Sequence, residues 1–242
     1  MVILNKQRFE YQAAYLLHAR PYRETSLLLE LFIAEQGRLG VIAKGVRRPK
    51  SRSRGLLQLF VPLRVSCVGR GELLTLTDVD SAGVAPILTG RRLVSAFYVN
   101  ELLMRLLHRG DPNPVLFSHY QDTLTELANM DREQVALRLF EKALLKNLGY
   151  EVQLLKDVET GLAVQAEGFY TFDPALGPVL VDSIRPNHAL ARSSYLFKGK
   201  SLLGLAEGQL QEPSVLSDAK RLMRMALAPH LGPKPLESRK LL

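Results

Sequence analysis

Apolar and polar residues alternate in five short runs within the first 80 residues, a pattern typical of β-strands with one buried face. In the second run Leu27, Leu29, Leu31 and Ile33 fall on the same face. Turn-forming residues separate the runs, as in Gly69-Arg70-Gly71. The predicted strands are Gln12–Ala19, Ser26–Ile33, Arg38–Ala43, Leu63–Val68 and Leu73–Val79.

The longest gap lies between the third and fourth runs, and its segment Gly55–Phe60 is long enough for one or two helical turns. Five strands with a helix-capable insertion after the third predict an OB-type β-barrel, a fold that often binds nucleic acid. An SH3-like barrel is the structural alternative.

From Pro86 the apolar residues follow the spacing of helices, as Leu93, Phe97 and Leu107 illustrate. Asp131 is a candidate N-cap and Gly149 a candidate C′ residue for one of these helices. The predicted helices after the first are Val115–Ala128, Glu133–Leu148, Ser201–Glu207 and Ser214–Leu231, and the segments Phe169–Phe172 and Pro178–Asp182 are expected to form a β-hairpin.

The predicted fold is therefore α+β, with four segments along the chain. Residues 1–80 are expected to form the five-stranded OB-type barrel. Residues 81–150 and 187–242 are expected to form the two parts of a helical domain, and residues 151–186 a small hairpin insertion between them.

Composition narrows the class of protein. The chain has 242 residues, of which 47% are hydrophobic and 23% charged, as is usual for a globular protein. The single Cys67 excludes an internal disulfide framework and a multi-cysteine zinc site. No stretch approaches the roughly 18 apolar residues of a membrane span. We therefore predict a cytoplasmic protein without a cofactor, associated with the nucleoid if its partner is DNA.

Charge is unevenly distributed along the chain. The formal net charge is +8, and residues 1–80 hold 13 basic and 7 acidic residues while residues 214–242 hold 6 and 2. Such a balance favours an anionic partner such as nucleic acid. The densest cluster has six basic residues in eleven and no acidic residue: Lys44, Arg47, Arg48, Lys50, Arg52 and Arg54.

Glycine, proline and serine interrupt this cluster, which predicts a loop that stays open until a polyanion binds. The alternative is a solvated loop whose charge only aids solubility. Arg20, Tyr22 and Arg23 lie in the first turn of the predicted barrel and Arg70 in the last. Both turns flank the binding face of an OB barrel, although ordinary polar turn residues would give the same pattern.

A second basic group lies on a predicted helix. Arg138, Lys142 and Lys146 are four residues apart and line one edge of it, beside an apolar side that includes Phe140 and Leu144. This pattern suits an acidic peptide with a hydrophobic end. A solvated face of an ordinary amphipathic helix is the alternative.

Candidate catalytic motifs are weak. Gly199-Lys200-Ser201 resembles the end of a phosphate-binding loop, but Ser194 stands where that loop needs its first glycine. No two histidines have metal-ligand spacing, and no G-x-S-x-G elbow occurs. A non-enzymatic binding protein is the better hypothesis. The alternatives are an OB-fold RNA-binding protein and a nucleotide-using enzyme at Gly199–Ser201.

Several segments resemble one family in order along nearly the whole chain. The resemblance begins with His18-Ala-Arg-Pro-Tyr-Arg-Glu-Thr-Ser-Leu27 and Gly37-Arg-Leu-Gly-Val-Ile-Ala-Lys-Gly-Val-Arg47. It continues through Tyr98-Val-Asn-Glu-Leu-Leu103 and Leu137-Arg-Leu-Phe-Glu141, and ends with Leu231-Gly-Pro-Lys-Pro-Leu-Glu-Ser-Arg239. These segments resemble the RecO family of bacterial DNA repair proteins, in its proteobacterial form.

The resemblance implies a recombination mediator without enzymatic turnover that binds single- and double-stranded DNA, and we expect it to be a monomer. Such proteins anneal complementary strands coated by single-stranded DNA-binding protein, and they help RecR to load RecA. The resemblance also implies that Arg138 receives the acidic, Phe-terminated tail of single-stranded DNA-binding protein, and the spacing adds Lys142 to this predicted site. Some members carry a four-cysteine zinc site in the insertion. Residues 151–186 contain no cysteine, so no zinc is expected.

Overall fold

A computed structural model describes residues 6–181 and 196–238 of the chain. The chain divides into two compact units. One runs up to Met130 and includes the C-terminal residues from Pro235, and the other is Asp131–Lys234. The proposed segment boundary at residue 186 lies outside the described residues, and the four-segment division stays a prediction.

The first unit contains a closed five-stranded barrel with strand order β1-β2-β3-β5-β4. β3 and β5 are parallel, and the other neighbouring strands are antiparallel. This confirms the predicted OB-type barrel and the α+β class. The strands are β1 (Lys6–Tyr22), β2 (Ser26–Ile33), β3 (Gly37–Ala43), β4 (Leu63–Arg70) and β5 (Leu73–Ser81).

Alternation along the strands fills the barrel. Leu29, Leu31 and Ile33 are fully buried in its core, and Leu27 is partly buried at the end of the same face. β1 is longer than predicted, and register shifts after Phe9 and after Leu16 bend it. Its first part therefore pairs with β4 and its last part with β2.

Helices α1 (Gly90–Leu106) and α2 (Pro114–Leu127) cover part of the outer surface of the barrel. Tyr15 and Phe32 point away from the barrel core, and their rings pack against Tyr120 and Phe117 of α2 at centroid distances of 5.0 and 5.3 Å. The Tyr120 hydroxyl donates to Asn100 Oδ1 (2.7 Å), and Asn100 Nδ2 donates to the Leu17 carbonyl (3.0 Å). This buried network joins both helices to β1.

The C-terminal residues return to the first unit. The Glu101 carboxylate of α1 accepts the backbone N–H groups of Glu237 (2.8 Å) and Ser238 (2.9 Å). Arg105 donates to the Pro235 carbonyl, and Leu236 is buried. Burial alone would raise the pKa of Glu101, but these hydrogen bonds and the charge of Arg105 lower it below its ordinary value.

Over residues 131–181 and 196–234, the second unit has three helices and a small sheet of order β7-β6-β8. The hairpin is confirmed over its described residues, while Asp182 lies outside them. The third strand was not predicted, because three residues carry no readable period. The elements are α3 (Glu133–Asn147), β6 (Phe169–Asp173), β7 (Gly177–Leu180), β8 (Leu196–Lys198), α4 (Gly199–Glu207) and α5 (Pro213–Leu231).

The ends of α3 match the sequence only in part. Gly149 adopts a left-handed conformation (φ +83°) just after the helix, as predicted. The prediction of Asp131 as N-cap is wrong: the N-cap is Arg132, and its side chain makes no capping hydrogen bond. Arg132 itself has helical backbone angles, so the first turn begins without the extended residue that a capping side chain needs.

The buried carboxylate of Asp157 organises the segment between α3 and the sheet. Its Oδ1 accepts the N–H groups of Glu159 and Thr160 (2.9 and 2.7 Å) and the Thr160 hydroxyl (2.9 Å). Its Oδ2 accepts the N–H of Leu180 in β7 (2.5 Å). One side chain thus ties a turn to an edge strand. Burial would raise the pKa of Asp157, but these four hydrogen bonds lower it.

Candidate nucleic-acid interface

The β1–β2 turn and the basic segment after β3 lie at the same end of the barrel. Tyr22 pairs with Ser26, and Ala43 pairs with Leu27, so Lys44 leaves β3 beside the turn. Arg47 then bonds to the turn itself: its backbone N–H donates to the Thr25 carbonyl (2.8 Å). The two sequence-predicted groups are therefore neighbours in the fold.

The basic segment is more ordered than the sequence predicts. Val46 is only 4% exposed and packs into the barrel core, which anchors the start of the segment. The N–H of Arg48 donates to the Gly45 carbonyl and the N–H of Ser51 to the Arg48 carbonyl (both 3.1 Å). A short 3-10 helix follows at Arg52–Arg54, earlier than the helix-capable segment suggested. The buried Val46 fixes the start of the segment, while its charged residues are exposed, and the prediction that it stays open until a polyanion binds stays a prediction.

The charged side chains of this end point into solvent. We call nine residues the basic surface: Arg20, Tyr22, Arg23, Lys44, Arg47, Arg48, Lys50, Arg52 and Arg54. Its eight charged members are exposed, and Tyr22 is half-buried. None has an ion-pair partner among residues 6–181 and 196–238.

Several other arginines of the same unit are paired with carboxylates, unlike those of the basic surface. Arg38 and Arg109 share the buried carboxylate of Glu30, with Arg38 at 3.0 Å from it. Arg105 pairs with Glu101 at 2.7 Å. Uncompensated positive charge therefore accumulates at the β1–β2 end of the barrel, where it attracts polyanions.

Two features limit where nucleic acid can lie on the barrel. The outward-facing Phe32 is fully buried under α2, so part of the strand face that OB folds use is covered. Arg70 is exposed at the end of β4, just before the β4–β5 turn, but β5 begins with Leu73 opposite Gly40, well before the end of β3. No described contact joins Arg70 to the basic surface, and its role stays a prediction.

The basic group on α3 does not form an open stripe. Arg138 is 5% exposed and pairs with Glu141 at 2.8 Å. Lys142 donates to the carbonyls of Leu205 (2.8 Å) and Ala206 (2.6 Å), near the end of α4. Burial, and then the charge of Lys146, lower the pKa of Lys142. Of the three side chains only Lys146 is exposed, and the peptide site at Arg138 and Lys142 stays a prediction.

The glycine-lysine-serine motif at the start of α4 is engaged by the protein itself. The N–H groups of Gly199 and Lys200 donate to the carbonyls of Gly168 (2.8 Å) and Ala166 (2.9 Å). The Ser201 hydroxyl donates to Asp218 at 2.7 Å, and Lys200 pairs with Glu212. These donors are therefore unavailable to a phosphate, which disfavours nucleotide binding here.

Neither a metal-binding cluster nor a membrane-spanning helix occurs in the part of the chain that the structure describes. Within residues 6–181 and 196–238, no group of three or more His, Cys, Asp or Glu side chains could hold a metal ion. Over the same ranges, no helix has both the length and the apolar character that crossing a membrane requires.

One contact in the basic surface could not be anticipated from sequence. The Arg47 guanidinium donates to the Arg23 carbonyl at 3.2 Å, and Arg23 has a left-handed backbone with φ +51°. The guanidinium carbon of Arg23 lies 5.3 Å from the centroid of the Tyr22 ring. A turn rich in charge predicts exposure, but nothing in the spacing of residues 23 and 47 indicates that they touch.

Comparison with known proteins identifies the family. The model for the N-terminal part of recombination protein O matches residues 9–84, and the model for its C-terminal part matches residues 88–240. The chain is 47% identical to DNA repair protein RecO of Nitrosococcus oceani over 235 residues, which is 97% of this chain and 93% of that protein. The RecO proteins of Azoarcus sp. and Coxiella burnetii are 41% and 43% identical, over 98% of this chain and 96% and 99% of theirs. The chain belongs to the RecO family and has a role in DNA repair and recombination.

Proposed function

We propose that the protein is a non-catalytic recombination mediator that binds single- and double-stranded DNA through the basic surface. The observation that carries this proposal is the concentration of eight exposed, unneutralised cations at one end of the barrel. Family membership supports a DNA partner rather than RNA. The engaged motif at Gly199–Ser201 speaks against nucleotide turnover.

Annealing requires only binding, because base pairing supplies the free energy. Two complementary strands repel each other through their phosphates. A cationic surface that holds both strands reduces that repulsion and raises their local concentration, while counterions are released to solvent. The same surface would act on strands coated by single-stranded DNA-binding protein, and with RecR it would prepare them for RecA. The protein acts as a monomer in the nucleoid.

The decisive experiment measures DNA affinity against salt for two charge-matched variants. The first replaces Arg48, Lys50, Arg52 and Arg54 with alanine, since their side chains have no described partner. The second removes the same charge from exposed positions of the second unit: Lys156, Lys198, Lys200 and Arg224.

For the first variant we expect the log–log slope against salt to fall by about 3 to 4, since each lost phosphate contact changes it by ~0.7 to 0.9. We expect strand annealing to fall with it, and the second variant to behave like the wild type. Equal slopes in both variants would remove the basic surface from the mechanism. Competition by RNA as strong as that by DNA of the same length would favour the RNA-binding alternative.

We also propose that the second unit binds the acidic, Phe-terminated tail of single-stranded DNA-binding protein at Arg138 and Lys142. The Nε of Arg138 is buried and has no hydrogen-bond partner among the described residues. A carboxylate that reached it would complete its hydrogen bonding. Such a tether would turn the search for coated strands into a nearly intramolecular event.

Peptide binding is tested with an acidic peptide that ends in phenylalanine and a control peptide without it. Because Arg138→Ala alone leaves the buried Glu141 without this ion pair, the variant Arg138→Ala/Glu141→Ala is measured beside it. We expect both variants to lose the peptide and to keep affinity for free DNA. Wild-type peptide affinity in the double variant would refute the site.

A further inference from the structure

The β1–β2 turn holds an arginine in a backbone conformation that residues other than glycine rarely adopt. Arg23, the first residue between the paired Tyr22 and Ser26, has φ +51°. In this region the Cβ atom crowds the following carbonyl oxygen. Such a conformation persists only where surrounding groups hold it, and it is often found at functional sites.

Arg47 is the group that holds the turn. Its N–H donates to the Thr25 carbonyl (2.8 Å) and its guanidinium Nη1 donates to the Arg23 carbonyl (3.2 Å), so it grips both sides of the turn. The preceding Val46 is buried in the barrel core and fixes the point from which Arg47 reaches. Arg47 therefore directs part of its donor capacity toward the protein rather than toward solvent.

The turn held in this way brings two flat groups together, with the Arg23 guanidinium over the face of the Tyr22 ring. The guanidinium carbon of Arg23 lies 5.3 Å from the Tyr22 ring centroid. Aromatic rings and guanidinium planes both stack on nucleobases. A base inside a duplex is covered on both faces by its neighbours, so only an unpaired base can use this pair.

We propose that Arg47 is a positioning residue that gives the basic surface a preference for single strands over duplex. Through the Arg23 carbonyl it holds the Tyr22–Arg23 pair ready to stack on an unpaired base. Arg48 is exposed, carries the same charge and has no side-chain bond to the turn within the described residues. It is therefore expected to bind phosphates of single strands and of duplex DNA alike. This inference rests on the proposed DNA binding.

The experiment compares the full-length protein with its Arg47→Ala, Arg47→Lys and Arg48→Ala variants by fluorescence anisotropy. The probes are a labelled oligothymidylate and a blunt duplex of the same length. In Arg47→Ala we expect the ratio of single-strand to duplex affinity to fall about tenfold, the size of one lost base stack. Arg48→Ala should weaken both probes and leave the ratio unchanged. Arg47→Lys keeps a donor for the Arg23 carbonyl and should restore part of the ratio.

Two further measurements isolate stacking from charge. Tyr22→Leu should lower the ratio as Arg47→Ala does, and the double variant should lower it no further, because both changes remove the same stack. An abasic strand keeps the phosphates and lacks the bases, so Arg47→Ala should weaken its binding no more than the charge-matched Arg48→Ala does.

Equal ratios in Arg47→Ala and Arg48→Ala, with both probes weakened, would overturn the positioning role and leave the proposed DNA binding intact. Additive effects of Tyr22→Leu and Arg47→Ala on the ratio would overturn it as well. If none of these variants, including Arg48→Ala, changed the affinity for either probe, the proposed function itself would fail.

Discussion

Removing the charge of Asp157 should loosen the small sheet of the second unit without unfolding the rest of the chain. Asp157→Asn preserves the size of the side chain. The carboxylate accepts four hydrogen bonds, three from backbone N–H groups and one from the Thr160 hydroxyl. The amide offers one oxygen and places an NH2 group against a backbone donor, either that of Leu180 or those of the turn at residues 159–160. At least one buried N–H then loses its acceptor.

An unsatisfied buried donor costs about 1 to 3 kcal/mol, and hydrogen bonds to a charged acceptor lie at the upper end of that range. We therefore expect local opening of this segment to become easier by roughly 2 kcal/mol, which accelerates amide exchange about thirtyfold. Hydrogen exchange read by mass spectrometry should show the change in peptides covering residues 157–164 and 177–181. Peptides from the barrel should exchange as in the wild type.

The wild-type protein should show the same weakening in acid. The folded state lowers the pKa of Asp157 below its ordinary value, so its contribution is complete above the unfolded pKa of about 4. That contribution is lost as the pH falls through the folded value. Asp173→Asn is the matched control: its carboxylate accepts two N–H groups in an exposed turn, and a smaller effect is expected. Unchanged exchange at residues 157–164 in Asp157→Asn would refute the role assigned to this carboxylate.

Three more predictions concern the first unit. Glu101→Ala should release the C-terminal segment that its carboxylate holds, which limited proteolysis with a glutamate-specific protease would detect as earlier cleavage after Glu237; cleavage at the wild-type rate would contradict this. Gly37→Ala should lower the urea midpoint of unfolding strongly, because φ is +71° and an added Cβ would lie 2.0 Å from a backbone oxygen. An unchanged midpoint would show that the loop after α1 can move away from the new side chain at little cost. Burial raises the pKa of the Cys67 thiol to about 12, so thiol reagents at pH 8 should modify it only after unfolding, and rapid labelling of the native protein would disprove its burial.

Strong local periodicity explains why much of the fold could be predicted. Leu29, Leu31 and Ile33 alternate without interruption, and the helix of Phe140 and Leu144 keeps its apolar spacing over four turns. Elements without such a period were missed or shortened. β8 has three residues, and the bends of β1 depend on register shifts that no residue type announces.

The candidate sites were predictable only where charge density alone decides exposure. Six cations in eleven residues cannot be buried together, so the segment from Lys44 to Arg54 had to face solvent. On α3 the spacing of four indicates one edge of a helix but not what packs against it. The end of α4 and the Glu141 carboxylate occupy that edge, so Lys142 and Arg138 turn inward. Such partners are set by tertiary packing, which the helical period does not contain.

Because the chain returns to α1 after Lys234, proteases cannot detach the second unit with a single cleavage. The second unit leaves the first after Met130 and rejoins it at Pro235, so two strands of polypeptide bridge the units. A single nick between Leu231 and Gly232 leaves the second unit covalently attached through residue 130. A single nick after Met130 leaves it covalently attached to the C-terminal residues. The backbone N–H groups of Glu237 and Ser238 in that segment bond to the Glu101 carboxylate. Covalent separation of the second unit therefore takes two cuts.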